Sequence, residues 1–332
     1  MDVLVSSRET VDMLTVAVLD DYQGRAREFA DWGSLGGDVE VTFFREPIAP
    51  DELVTALASF DVLVLMRERT AFPRSVLEGL GNLRLLVTTG MGNASVDVGY
   101  LRERGVVVSG TGMAGGMPGV PSTVEVAWAL IFATMKRVTI EDKAIRAGSW
   151  QLGFPRNLAG ATLGLAGLGR LGSAMVAPAR VFGMDVLAWS QHLAEERAAD
   201  LGVRRVSKPE LLSASDVLSI HLVLSERTRG LFQKGDLASM KPSAVLINTS
   251  RGPIVDERAL INALRDGTIG AAGLDVFDRE PLPAGHAFVG LENVVLLPHL
   301  GYVNEPGLRI MYEAVVEDID AFMRGMPLRV IG

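Results

Sequence analysis

Three polar residues in the second half of the chain combine side-chain types that could transfer a proton beside a carboxylate. Arg251 occurs in NTSRGPIVDE, Glu280 in GLDVFDREPLP and His299 in LLPHLGY. An arginine binds a carboxylate through two parallel hydrogen bonds, a histidine exchanges a proton with a hydroxyl group, and a glutamate bonded to that imidazole fixes its tautomer. These residues predict chemistry on a 2-oxo or 2-hydroxy acid, although each alone also fits a solvated surface position or a packed loop.

A glycine-rich turn follows the apolar run at 162–166 and precedes a segment with helical periodicity. It consists of Gly167, Leu168, Gly169, Arg170, Leu171 and Gly172. In a GxGxxG turn between a strand and a helix, the first glycine permits the tight turn and the second lets a pyrophosphate approach the backbone. The third lets the helix pack on the strand, with its N-terminus at the phosphates. This context predicts a dinucleotide site, and an ordinary strand–helix turn is the alternative.

The choice of dinucleotide depends on the next apolar run, which ends at Ser190. An acidic residue near this place would bind the ribose 2′-hydroxyl group of NAD. A carboxylate there repels the 2′-phosphate of NADP, whereas Ser190 with His192 and Arg197 nearby does not. The sequence therefore leans towards NADP, and a loop that accepts both NAD and NADP is the alternative.

The elements that would hold these residues alternate between apolar runs and segments of helical periodicity. The runs are rich in Val, Leu and Ile without polar alternation, as in strands buried on both faces of a parallel sheet. The first series comprises residues 15–19, 39–43, 62–65, 83–88 and 106–108, and the second comprises residues 162–166, 185–189, 217–221, 244–248, 271–275 and 294–297. This alternation predicts an α/β protein with doubly wound parallel sheets.

One long helix is predicted over 122–147, between the two series of strands. Ser122 and Glu125 form a capping-box pattern at its start, and Gly148 marks its end. Its length suits a bridge between two domains, an arm that reaches a second subunit, or a buried helix within one domain. A final amphipathic helix is predicted over 304–324, where apolar residues share one stripe.

Composition narrows the classes of function. The 332 residues include 32 Lys and Arg against 40 Asp and Glu, so the net charge of −8 offers no basic excess for nucleic acid. The chain has no cysteine, which excludes disulfides and thiolate chemistry and fits a reducing, cytoplasmic compartment. The 4 His include no pair at helical ligand spacing, so no metal site is predicted. No apolar run approaches the length of a membrane span, so no membrane partner is expected.

In their order and intervals, GLGRLG, NTSRGPIVDE, GLDVF…EPLP and PHLGY resemble the motifs of the D-isomer-specific 2-hydroxyacid dehydrogenase family. The resemblance covers the chain from Met13 onward. It implies a flavodoxin-like substrate domain of residues 13–110 plus 303–332, and a Rossmann NAD(P)-binding domain of residues 111–302. It also implies that the protein is a homodimer.

The resemblance also implies a role for each candidate site residue. Arg251 binds the substrate carboxylate, His299 is the acid and base, and Glu280 is the partner of His299. The implied cofactor contacts are residues 167–172, Ser190, His221, Thr249 and Asp275, the last at the nicotinamide carboxamide. The implied substrate contacts are Arg67, Met91, Gly92 and Asn93, which occur in MRERT and TTGMGNASVD.

The expected activity is hydride transfer between NAD(P)H and a small 2-oxo acid, which gives a D-2-hydroxy acid. A formate-type dehydrogenase is one alternative, which Glu280 argues against because those relatives have Gln at this position. A nucleotide-binding corepressor-like protein is another, since such relatives keep the same three residues, although no basic stripe supports it. The chain departs from the family pattern at Ser190, at residues 221–224, where a usual proline is missing, and in a longer glycine- and proline-rich loop at 110–121.

Overall fold

The computed structural model describes residues 13–112 and 121–332. Most of the glycine- and proline-rich loop predicted at 110–121 therefore lies outside the described residues. The described chain divides into two compact units, one formed by residues 13–112 with Asn304–Gly332 and the other by residues 121–303. The first unit is thus built from both ends of the chain.

Regular elements alternate along both units, as the apolar runs predict. The strands are β1 (Leu14–Val18), β2 (Val39–Phe43), β3 (Val62–Leu65), β4 (Leu85–Thr88), β5 (Val107–Gly110), β6 (Thr162–Ala166), β7 (Asp185–Trp189), β8 (Arg204–Arg205), β9 (Val217–Ile220), β10 (Val245–Asn248), β11 (Ala271–Leu274) and β12 (Val294–Leu296). The helices are α1 (Ala26–Phe29), α2 (Leu53–Leu57), α3 (Arg74–Leu77), α4 (Val98–Glu103), α5 (Ser122–Met135), α6 (Val138–Arg146), α7 (Arg170–Ala174), α8 (Val176–Val181), α9 (Glu195–Asp200), α10 (Lys208–Ala214), α11 (Lys234–Ala238), α12 (Glu257–Arg265) and α13 (Glu305–Met323). Short 3-10 turns cover Trp32–Leu35, Gly252–Ile254 and Ala287–Gly290.

The first unit holds a five-stranded parallel sheet in the order β2-β1-β3-β4-β5. This is the strand order of flavodoxin-like sheets, in which the direction of winding changes between β1 and β3. Ligands of open α/β sheets bind at the carboxyl ends of the strands beside such a point. The loops that follow β3 and β4 are therefore the natural place for ligand-binding residues in this unit.

The C-terminal segment completes the first unit. The Ile331 N–H donates to Val108 O at 2.8 Å, and the Gly110 N–H donates to Arg329 O at 3.0 Å, so the last residues pair with β5. The Arg329 guanidinium lies 3.0 Å from the fully buried Asp318 carboxylate of α13. The predicted final helix and the residues after it thus both belong to the first unit, and the residues after it pair with its sheet.

The second unit holds a seven-stranded parallel sheet in the order β12-β11-β10-β9-β6-β7-β8. Counted from β6, its first six strands have the order 3-2-1-4-5-6 of the dinucleotide-binding fold, and β12 extends it by one strand. The fold class predicted from the sequence, two doubly wound parallel sheets of flavodoxin-like and Rossmann type, is confirmed. Every strand except the two-residue edge strand β8 overlaps an expected run, with ends that differ by up to two residues.

The single helix predicted over 122–147 is wrong, because the structure has two helices there. Arg137 adopts the left-handed conformation with φ 56°, which ends α5 and starts α6. The neighbouring Lys136 donates from Nζ to Arg156 O at 2.7 Å, so a contact made after folding stabilises the break. The expected capping box is also absent, since Pro121 is the N-cap of α5 and no side chain bonds to the backbone at this cap.

Among the described residues, no helix combines the length and apolarity that a membrane crossing requires.

Candidate active site

Three adjacent strands of the second unit place the predicted catalytic residues at one edge of the sheet. β10, β11 and β12 are parallel neighbours, so their carboxyl ends lie side by side. Arg251 follows β10, Glu280 lies in the loop after β11, and His299 follows β12. This edge is where open α/β sheets bind ligands.

His299 and Glu280 form a short, partly buried pair. The imidazole Nδ1 lies 2.6 Å from Glu280 Oε2, and the side chains are 15% and 22% exposed. The other carboxylate oxygen, Oε1, accepts a hydrogen bond from the Phe277 N–H at 2.9 Å. An ionised carboxylate can only accept, so Nδ1 carries the ring proton and Nε2 is left for a reacting group. The Tyr302 ring packs edge-on against the imidazole at 5.3 Å.

The turn that presents His299 is held by Asp275. Its Oδ1 accepts the Leu300 N–H at 2.7 Å, and its Oδ2 accepts the Gly301 N–H at 2.8 Å. The backbone of His299 has φ 54°, in the left-handed region. Residues other than glycine adopt this conformation uncommonly, and the surrounding structure must hold them in it. Burial raises the pKa of Asp275 to about 6, against the opposing effect of these backbone N–H groups and of His299. The carboxylate therefore fixes the backbone on which the imidazole is mounted.

Arg251 is presented by a turn that Asn248 shapes. The Asn248 amide donates to Arg251 O at 3.0 Å and accepts the Ser250 N–H at 3.0 Å. Arg251 also donates from Nη1 to Ser250 O at 2.7 Å. A Cβ atom at Gly252 would overlap the backbone at 277–278, so glycine is required for this close approach. The loop of Arg251 therefore packs directly on the loop that carries Glu280.

The GLGRLG turn has the shape of a phosphate-binding loop. Gly167 has φ 102°, and a Cβ atom there would lie 2.5 Å from His221 O. A Cβ atom at Gly172 would overlap Gly167 O, so α7 packs closely on the turn. By contrast, Gly169 is exposed, and no atom lies within 4 Å of the place of its Cβ. The first and third glycines thus serve internal packing, and the second leaves its backbone open to a ligand.

Two buried polar atoms at the carboxyl ends of strands in this sheet have no hydrogen-bond partner within the part of the chain that the structure describes. They are His221 Nδ1 and the Thr249 hydroxyl oxygen, which follow β9 and β10. His221 Nε2 bonds Ser219 Oγ at 2.9 Å, and burial lowers the pKa of His221 to about 4, so its ring is neutral at pH 7. Buried polar atoms are normally paired, so these two fit a bound group that completes their hydrogen bonds.

Ser190 and Arg197 lie against the glycine turn. The Gly167 N–H donates to Trp189 O at 2.8 Å, which places Ser190 next to the turn. Arg197 donates from Nη2 to Ser173 Oγ at 3.0 Å, and Ser173 donates to Leu168 O at 3.1 Å. An exposed guanidinium is thus tied to the glycine turn, a contact that the sequence pattern alone does not reveal.

In the first unit, two of the predicted substrate contacts are joined in one cluster after β3 and β4. The Asn93 amide donates to Arg67 O at 2.7 Å, and Arg67 donates from its backbone N–H to Thr89 Oγ1 at 2.8 Å and from Nη1 to Thr89 O at 2.9 Å. Arg67 also adopts a left-handed conformation with φ 55°. Met91 is 52% exposed, and Gly92 is exposed with no atom within 4 Å of the place of its Cβ, so this part of the loop is uncovered in the described chain.

Sequence reasoning missed several residues that shape the site. Tyr302 against His299, Asn248 beneath Arg251 and Ser173 beneath Arg197 act through contacts that form only in the fold. The asparagine could have been found, because Asn side chains commonly close turns by bonding the backbone two residues further on, as Asn248 does with the Ser250 N–H. Across the described residues, no group of three His, Cys, Asp or Glu is arranged to hold a metal ion.

Comparison with known proteins places this arrangement in a family. Residues 128–301 match the family described as "D-isomer specific 2-hydroxyacid dehydrogenase, NAD binding domain". The glyoxylate reductase of Korarchaeum cryptofilum is 38% identical over 260 residues, which are 75% of this chain and 76% of that protein. The glyoxylate reductase of Thermococcus litoralis is 34% identical over 302 residues, which are 86% of this chain and 88% of that protein.

Solved structures are also similar to this chain over nearly its whole length. The crystal structure of a phosphoglycerate oxidoreductase from Vibrio cholerae aligns with a TM-score of 0.87 and 34% sequence identity, over 94% of this chain and 100% of that one. The similarity thus extends over both units and is not confined to the glycine turn.

Proposed function

Because this chain belongs to the D-isomer specific 2-hydroxyacid dehydrogenase family and is an NAD(P)-dependent oxidoreductase of 2-oxo and 2-hydroxy acids, we propose that the pair of His299 and Glu280 performs its proton transfer. The observation that carries this assignment is the 2.6 Å contact between Nδ1 and Oε2, which leaves Nε2 as the reactive atom. We assign substrate binding to residues 13–110 plus 303–332 and cofactor binding to residues 111–302.

In the proposed mechanism, Arg251, His299 and Glu280 have separate tasks. A bound reduced nicotinamide supplies the hydride. Arg251 binds and orients the substrate carboxylate through its planar guanidinium. In the reduction, the doubly protonated ring of His299 gives its Nε2 proton to the carbonyl oxygen that becomes the hydroxyl group, and keeps the proton on Nδ1. In the oxidation, the neutral ring takes the hydroxyl proton back at Nε2. Glu280 holds the imidazole. We propose that residues 167–172, His221, Thr249 and Asp275 contact the cofactor.

The backbone N–H groups of Met91 to Asn93 and the side chain of Arg67 are proposed as further substrate contacts. The support is their common cluster after β3 and β4, where loops of a doubly wound sheet bind ligands. In this cluster Arg67 is held at its guanidinium by Thr89, so its position is set before a substrate arrives.

The experiment that tests the activity measures the oxidation of NADH and NADPH with a panel of 2-oxo acids, and the reverse reaction with D- and L-2-hydroxy acids and with formate. We expect reduction of at least one small 2-oxo acid and oxidation of the D-isomer alone. Turnover of formate, or binding of a dinucleotide with no turnover of any acid, would instead support the formate-type or the corepressor-like alternative.

For the cofactor we propose a preference for NADP. Ser190 stands where a carboxylate would bind the ribose hydroxyls, and Arg197 is fixed to the glycine turn by Ser173. A guanidinium is well suited to a phosphate, because its donors form a rigid fork. An uncharged Ser190 and a nearby cation together favour the 2′-phosphate over the hydroxyl group.

Ser190→Asp is expected to shift the preference from NADPH towards NADH. The new carboxylate repels the 2′-phosphate by about 1–4 kcal/mol, which corresponds to about five- to thousand-fold in relative affinity. The ratio of kcat/KM for the two cofactors measures the effect. Ser213→Asp is the matched control, since it adds the same charge to the exposed side of α10. An unchanged ratio in Ser190→Asp would contradict the assignment.

We also propose that the protein is a homodimer. Trp150, Leu152 and Phe154 are 73%, 57% and 95% exposed within a short segment after α6. Exposed apolar side chains in such a contiguous group are typical of a surface that another chain covers. Light scattering is expected to give twice the 35.5 kDa of one chain, and the mass of a single chain would contradict the proposal. A cytoplasmic location is the matching proposal for a chain without cysteine.

A further inference from the structure

A second pair of a histidine and a glutamate lies in the same unit and has no role in the mechanism above. His286 Nε2 lies 3.1 Å from Glu257 Oε1, and the two side chains are 19% and 21% exposed. His286 is the N-cap of the turn Ala287–Gly290, where its Nδ1 accepts the Phe288 N–H at 3.3 Å. Since Nδ1 accepts, the ring proton lies on Nε2 and is donated to Glu257.

The second oxygen of Glu257 reaches the loop that carries Glu280. Glu257 Oε2 accepts the Asp278 N–H at 3.3 Å. The preceding N–H, that of Phe277, donates to Glu280 Oε1 at 2.9 Å. Two neighbouring backbone donors in one turn are therefore bound by two glutamates, one on α12 and one that contacts His299. Any shift of this turn moves the donor that orients Glu280.

Aromatic contacts close the same loop. The Phe277 ring lies 6.3 Å from that of Phe288, and the Phe288 ring lies 5.1 Å from the imidazole of His286. The start of the loop at Asp278 and its end at His286 are thus both bonded to the single carboxylate of Glu257. Glu280 lies between these two points, so its backbone is held from both sides.

We propose that Glu257 and His286 form a clamp that positions Glu280, and through Glu280 holds the imidazole of His299 in the tautomer with the proton on Nδ1. This inference rests on the role proposed above for Glu280 and His299. Glu257 and His286 are positioning residues, because neither contacts the reacting atoms. A displacement of about 1 Å at a positioning residue is enough to lower turnover about 100-fold.

Several acidic groups lie close to the clamp, and they determine whether the fold tolerates a neutral side chain in place of Glu257. Burial raises the pKa of Asp278, the neighbouring Glu257 and Asp256 carboxylates add to the rise, and Arg229 and His286 oppose it. The site therefore already holds a surplus of acidic groups. In Glu257→Gln the amide presents one acceptor and one donor to two donors, so one of the two contacts is lost while the crowding of charge is relieved. The variant is thus expected to fold.

The test records the Nδ1 proton of His299 by NMR in protein labelled with ¹⁵N-histidine, together with kcat, the Kd for NADPH and the melting temperature. The chain has only 4 His, and the spectrum of His299→Gln assigns the signal. In Glu257→Gln and in His286→Ala we expect the downfield Nδ1–H signal to broaden or disappear and kcat to fall about 10- to 100-fold. The Kd for NADPH and the melting temperature should stay near their wild-type values.

Glu292→Gln is the matched control, because Glu292 is an exposed glutamate just before β12. It should leave the signal and kcat unchanged. A normal His299 signal in both clamp variants would overturn the inference, as would a fall in kcat that only follows the fraction of unfolded protein. The signal is recorded without substrate, so it tests the clamp even if no 2-oxo acid is turned over, and the two proposals can fail separately.

Discussion

His299→Gln lowers kcat by about 10²- to 10⁴-fold, the usual contribution of a general acid or base, while the dinucleotide binds nearly as well as to the wild type. The amide is similar in size to the imidazole but cannot give or take a proton at the substrate oxygen. Dinucleotide binding depends on the glycine turn at 167–172, which lies after a different strand and does not use the 2.6 Å contact between His299 and Glu280.

Stopped-flow and steady-state assays with the best 2-oxo acid measure kcat, and fluorescence titration measures the Kd for NADH and NADPH. His192→Gln is the matched control for kcat and for the Kd of NADH, since His192 is exposed, does not belong to the proton-transfer pair and lies near the place of a 2′-phosphate that NADH lacks. A His299→Gln variant that keeps a kcat close to that of the wild type would remove His299 from the mechanism.

Arg251→Lys lowers kcat/KM by about 10- to 100-fold although the positive charge is kept. A lysine offers a point charge without the planar fork that fixes a carboxylate, and one lost hydrogen bond to a charged group is worth about 1.5–3 kcal/mol. We expect most of the effect in KM if the guanidinium binds ground state and transition state alike, and a further loss in kcat if it also orients the carbonyl group.

The competing role of Arg251 is to support its own loop, because Nη1 donates to Ser250 O at 2.7 Å. A supporting role predicts a lower melting temperature with an almost unchanged KM, and this result would contradict substrate binding. Arg258→Lys serves as the control, since Arg258 lies on the exposed face of α12. KM and melting temperature together therefore separate the two roles.

The strands could be read from the sequence because both faces of each sheet are covered. β6 and β7 match the expected runs residue for residue, since each has a buried apolar centre, at 163–166 in β6 and at 187–188 in β7. β8 was not predicted, because Arg204 and Arg205 are exposed at the edge of the sheet, where a strand needs no apolar pattern. The break between α5 and α6 at Arg137 was not predicted, because helical periodicity continues across it. The hydrogen bond from Lys136 Nζ to Arg156 O, which joins distant parts of the chain, stabilises this break.

The types of the site residues could also be read from the sequence, but their connections could not. The proton-transfer pair joins residues 19 positions apart, and the contact between His286 and Glu257 spans 29 positions. Asp275 was expected at the cofactor, whereas its observed hydrogen bonds hold the backbone after His299. Such contacts depend on how loops fold back over a sheet edge, which no local pattern encodes. The contact with the nicotinamide stays a prediction.

The pairing of the last residues with β5 sets an order of events during synthesis. The second unit is complete once residue 303 has left the ribosome, because its sheet draws on no later residue. The first unit, although translated first, still lacks α13 at that point. It also lacks the hydrogen bond that the Ile331 N–H donates to Val108 O and the one that the Gly110 N–H donates to Arg329 O. Translation normally lets the N-terminal domain fold ahead of the next one. In this chain we expect the opposite order, because the five-stranded sheet at 14–110 gains α13 and the strand pairing at 329–331 only after the second unit has been translated.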